Sequence, residues 1–158
     1  MKVENSYNYY RNKKIENISD ELSLSYLLRK RNDFIIDGLS YGQRFAKYFI
    51  EKHLITTKKN YVILEIGPGY GNFAFEFVRF LRNKEIKFNY TLCEYSKGLI
   101  RFCKKLGIKS TSFIVGDAIK LPFKKESIDI IICNEVAGDL VNIVDFELGI
   151  KAKNEIIK

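Results

Sequence analysis

A 158-residue chain that is 46% hydrophobic and 14% aromatic has material for one domain with a real core, and no run of about 18 apolar residues marks a membrane span. A single histidine, His53, removes histidine-based triads and argues against zinc, while the widely spaced Cys93, Cys103 and Cys133 predict reduced, mostly buried thiols of a cytoplasmic protein. The net charge of +8 is uneven: residues 1–60 carry +5, residues 61–150 carry +1 and residues 151–158 carry +2. The simpler reading of that excess is a solvated surface, and nucleic acid or another polyanion stays open as a partner.

In chain order, residues 1–18 predict a loose or partner-dependent arm, and "MKVENSYNYYRNKK" has no apolar stretch of the secretory kind. A helix is expected over 19–32, with Ser19 as N-cap and Leu22, Tyr26, Leu27 and Leu28 as its stripe. The segment 40–55 is a clearer helix. Ser40 and Gln43 have capping-box spacing, and Tyr41, Phe45, Tyr48 and Phe49 share a face. After "TTKKN" the rhythm changes to that of buried strands: "YVILEI" (61–66), "KFNYTLCE" (87–94), "TSFIVG" (111–116) and "SIDIIICN" (127–134). Between them lie helical patterns over 72–83 and 96–107, and a further one is expected over 135–148. The alternation predicts an α/β, doubly wound, mainly parallel Rossmann-like sheet preceded by helices. The expected division is N-terminal arm and helices (1–58), cofactor-binding half-domain (59–150) and basic tail (151–158).

Ligands in such sheets sit beyond the carboxyl ends of the strands. Four chemistry-bearing sites fall there in order: Glu65 with the loop Gly67-Pro68-Gly69-Tyr70-Gly71, then Glu94, then Gly116-Asp117, then Asn134-Glu135. The glycine loop allows a ligand to lie against bare backbone, next to the positive end of a helix. Its bland alternative is a tight strand-to-helix turn. The loop departs from the dinucleotide fingerprint G-x-G-x-x-G, because Asn72 stands where its third glycine belongs and the third glycine here comes one place early. That disfavours a nicotinamide-dependent oxidoreductase. Glu94 is placed to accept from two vicinal ribose hydroxyls, and Asp117 from an adenine amino group with the Ala118 amide beside it. Glu65, within an apolar strand, should be paired with loop amides or with a ligand.

The segments "VILEIGPGYGNFA", "YTLCEYS", "FIVGDAIKLPF" and "IDIIICNEV" together resemble the successive motifs of class I S-adenosylmethionine-dependent methyltransferases, over about residues 40–145. The resemblance implies S-adenosylmethionine as cofactor. It places Gly67, Pro68, Gly69 and Gly71 under the methionine part, with Glu65 ordering the loop, Glu94 on the ribose, and Gly116, Asp117 and Ala118 at the adenine. Tyr95 is a candidate for stacking on the adenine, with core filling as the equal alternative.

Methyl transfer mainly demands that an acceptor be positioned, since the sulfonium is already activated. The segment after the fourth strand, with Asn134, Glu135 and Asp139, is the candidate catalytic region. It lacks the N-P-P-Y form and is loosely similar to the N-E-x-x-D-A-L segment of the MidA-like branch, one residue out of step. Glu135 and Asp139 would share a helix face able to hold a guanidinium, or simply complement a helix dipole. Only four of the seven strands of the full fold are legible. This predicts a truncated or complemented methyltransferase, with a partner chain or second copy covering the edge at the fourth strand. The methyl acceptor is not legible, and a non-catalytic cofactor-binding scaffold is the alternative.

Overall fold

A computed structural model describes residues 38–134 and 136. The helix expected over 19–32 and that over 135–148 lie outside those residues, as do Glu135 and Asp139 with the MidA-like spacing they carry. The described elements run α1 (Tyr41–Glu51), β1 (Asn60–Ile66), α2 (Asn72–Asn83), β2 (Lys87–Glu94), α3 (Lys97–Lys105), β3 (Thr111–Val115) and β4 (Ile130–Cys133).

The four strands form one parallel sheet in the order β3-β2-β1-β4. Every neighbouring pair is parallel, with Ile63 opposite Tyr90 on one side and Ile130 on the other. Among the described residues this is the expected Rossmann-like arrangement, four parallel strands of an α/β sheet. The continuous apolar run of β1 is explained by its central place. Ile63, Leu64, Phe77, Leu81, Tyr90 and Leu92 are essentially buried. On α2 the buried set Phe73, Ala74, Phe77, Val78 and Leu81 recurs every three or four residues, which is one helix face laid on the sheet. On α3, Leu99, Ile100 and Cys103 do the same.

Three expectations need adjusting. The first concerns α1, which begins as expected: the Ser40 and Gln43 box is formed in both directions. It nevertheless ends at Glu51, short of residue 55, where the chain turns through His53 at φ 56° so that Ile55 drops into the core. Second, Tyr48 does not join Tyr41, Phe45 and Phe49 on the core face; it is 52% exposed, with Lys52 over its ring. Third, β4 starts at Ile130 rather than 127; just ahead of it Asp129 is tied to β1, its backbone N–H donating to the Val62 carbonyl and its carboxylate accepting from the Val62 N–H, both at 2.9 Å. Lys59 closes the same carboxylate from outside.

Among the described residues β4 forms one edge of the sheet. Ile132 faces the core, whereas Ile131 is 56% exposed. No helix among the described residues is long and apolar enough to cross a membrane.

Candidate functional site

The carboxyl ends of the strands bring the predicted acids together. Glu65, next to last in β1, and Glu94, last in β2, are both buried. Asp117 follows β3 and Asn134 follows β4, both half-buried. The loops between strands and helices are stitched to neighbouring strand ends: the Gly67 N–H donates to the Cys93 carbonyl at 2.9 Å and the Gly116 N–H to the Glu94 carbonyl at 3.0 Å. The parallel ladder therefore continues one residue past each strand, and that fixes where the loops leave the sheet.

The three loop glycines all have positive φ (63°, 55° and 78°), which an L side chain adopts only at a cost. Their surroundings differ. A Cβ on Gly67 would lie 2.3 Å from a Val136 methyl, and one on Gly71 would lie 3.0 Å from the Cys103 sulfur. Those two positions are bare because other parts of the protein press on them. Only Gly69 has nothing within 4 Å of that position. The expectation that all the glycines make room for a ligand is thus narrowed to Gly69. Between them Pro68 is buried and accepts from the Gly71 N–H at 2.8 Å, closing the turn. Gly71 is also the N-cap of α2, so no cap side chain closes the first amides of that helix.

Glu65 does not pair with loop amides. Its Oε2 accepts from the Tyr90 hydroxyl at 2.6 Å across the β1–β2 register. Burial pushes its carboxyl up to about 8; the Tyr90 hydrogen bond opposes this, and the Glu94 charge adds to it. Tyr90 in turn is held well above the usual phenol range, chiefly by burial and then by Glu65. Glu94 Oε1 accepts from the Ser96 N–H at 2.9 Å, and the Ser96 hydroxyl accepts from the Leu99 N–H at 3.4 Å as the cap of α3. Asp117 Oδ1 accepts from the Ile119 N–H at 2.9 Å, so one of its oxygens is engaged in a local turn bond. Ala118 and Tyr95 are half-buried beside these acids in sequence.

Residues 57–157 match the protein family described as "Methyltransferase domain". The chain belongs to that family. Among solved structures, this methyltransferase-domain chain is similar to a protein of Methanococcus maripaludis described as an S-adenosyl-L-methionine-dependent methyltransferase. The identity is 18% over 65% of this chain and 45% of the other, with a TM-score of 0.52. A SAM-dependent methyltransferase from Aquifex aeolicus matches at 16% identity over 72% of this chain and 57% of its own, with a TM-score of 0.47. At 18% identity the first of these shows the fold alone. The methyltransferase-domain chain spans less than half of the first structure's length. No curated protein matches it.

Four residues around the candidate site escaped the sequence reading. Tyr90 and Ser96 hold the two glutamates, and Val136 and Cys103 press on the glycine loop. The Cys103 thiol also donates to the Gly69 carbonyl at 3.2 Å, and burial pushes it up to about 12, so it packs as a neutral donor. Two of these had a visible signal, since Tyr90 is a polar tip inside an apolar strand and Ser96 precedes a helical pattern.

Proposed function

We propose that this end of the sheet binds S-adenosylmethionine and that the chain is the cofactor-binding part of a methyltransferase. The supporting observation is the convergence of Glu94, Asp117 and a glycine loop open at Gly69 on the carboxyl ends of three adjacent strands, beside the uncapped start of α2. The donor set fits the group. Glu94 offers acceptor oxygens to a ribose diol, and Asp117 with the Ala118 amide offers an acceptor and a donor to an adenine edge. Gly116 keeps the backbone close at that point, since a Cβ there would lie 3.2 Å from the Cys93 sulfur. Gly67, Pro68, Gly69 and Gly71 set the floor under the methionine part, and Tyr95 flanks the adenine.

Bound there, the cofactor supplies a methyl group already activated on a sulfonium. This chain's residues bind and orient. Glu65, largely neutral below about pH 8, braces Tyr90 beneath the loop, and a cation held above it would favour its ionised form. Asn134, Glu135 and Asp139 remain the proposed acceptor-facing residues, and the acceptor is proposed only as an unidentified nucleophile. A partner chain or second copy at the β4 edge, nucleic acid as a partner and a cytoplasmic location are parts of the same proposal.

Equilibrium dialysis of the 158-residue chain with methyl-labelled S-adenosylmethionine tests it. Saturable binding displaced by S-adenosylhomocysteine and untouched by NAD is expected. Displacement by NAD, or no retention by a folded chain, would reject the reading.

A further inference from the structure

The helix that precedes the family-matched span reaches the same end of the sheet. Three contacts lock its first turn. The capping box closes its N-terminus. Gly42 lies so close to α2 that a Cβ would sit 2.7 Å from the Phe73 carbonyl oxygen and 3.0 Å from the Phe77 nitrogen. The Gln43 amide donates to Glu76 at 2.7 Å. Tyr41 belongs to this fixed turn, with its ring centroid 6.0 Å from that of Phe45 and 5.6 Å from that of Phe73. A phenylalanine would satisfy those ring contacts. The hydroxyl has a different partner: it donates to Asn134 Oδ1 at 2.9 Å, 93 residues away.

We propose that Tyr41 is a positioning residue of the cofactor site, holding the Asn134 carboxamide in one orientation from outside the family-matched span. The proposal rests on the reading of the strand ends given above. A carboxamide has an acceptor and a donor end, and its terminal torsion has two broad wells. With Oδ1 engaged by the tyrosine hydroxyl, the Nδ2 hydrogens remain the donor end of the carboxamide. Asn134 directly follows the last residue of β4, and Val136, two residues on, is seated against Gly67. The carboxamide is thus tied to a locked helix turn, two residues before the contact that Val136 makes with the glycine loop.

The test is a calorimetric double-mutant cycle with S-adenosylhomocysteine on the full chain, using Tyr41→Phe, Asn134→Ala and the double variant, together with the Asn134 side-chain amide resonances of the ligand-free protein. Tyr41→Phe keeps the ring, so the thermal midpoint should hold. The dissociation constant should rise about 2- to 12-fold, the range for one hydrogen bond. The same change in the Asn134→Ala background should cost nothing further. The amide resonances should move or broaden in Tyr41→Phe. Unchanged affinity in Tyr41→Phe, or an equal loss in both backgrounds, would overturn the proposal, as would unchanged resonances. Absence of binding by the wild-type chain would instead reject the cofactor reading and the affinity consequence with it, and the resonances would still decide whether Tyr41 orients Asn134.

Discussion

The two ends of the sheet are built on opposite terms. At the amino ends, charge is exposed and paired. Lys59 and Asp129 join across the β1–β4 junction, and Asp129 also takes the Val62 amide. The hydrogen bond from Lys59 holds the Asp129 carboxyl below its ordinary range and raises the lysine. At the carboxyl ends, Glu65 and Glu94 are both buried, and Glu65 is pushed up to about 8. Burial of that kind costs stability unless something repays it. The first end pairs its charge at the surface, and the second buries its acids with partners from within the chain, Tyr90 for Glu65 and the Ser96 N–H for Glu94.

The largest expected effect is on binding. Gly69→Val places a branched side chain in the open position of the glycine loop, at φ 55°. Titration with S-adenosylmethionine should show binding lost by more than about 100-fold, while circular dichroism still reports a folded chain with strain of roughly 1–2 kcal/mol. Retained affinity would remove the loop from the site.

Next in size is the pH dependence, which separates the two ends by sign. The folded-state value of Glu65 lies above its ordinary 4.5, so the stability it contributes is full below about pH 4.5 and is lost as pH rises through about 8. Denaturant unfolding between those limits should show a decline of up to ~4 kcal/mol, the order set by a shift of a few units. Glu65→Gln should flatten the decline, and a curve of unchanged shape in that variant would contradict the assignment.

Asp129 should give the smallest effect and the opposite sign. Its folded-state value is depressed, so its contribution is present above about pH 3.8 and lost as pH falls. Asp129→Ala should lower the thermal midpoint slightly at neutral pH, and the Lys59 part of the difference should shrink in high salt. A midpoint as high as the wild type's at neutral pH would show the clamp to be idle.

The sequence carried the elements well where a single local rule governs them. The 72–83 helix and the 87–94 strand have the predicted limits, because each is a periodic run bounded by breakers. It carried less where distant residues decide. β4 starts at Ile130 rather than at the expected 127, and the contact of Asp129 that ties its start to β1 reaches Val62, 67 residues away. Glu65 was legible as a buried acid needing a partner, but Tyr90 as that partner depends on strand register. The glycine loop was legible as a motif. That Gly67 and Gly71 are occupied by Val136 and Cys103, with only Gly69 open, depends on packing that no spacing rule encodes.

The central claim is that the buried acid at the end of β2 belongs to a cofactor site, and calorimetric titration of wild-type and Glu94→Ala chains with S-adenosylmethionine and S-adenosylhomocysteine tests it most directly. The account predicts saturable binding of both ligands by the wild type, lost in a variant that remains folded. Equal binding by the two chains, or none by a well-folded wild type, would contradict it.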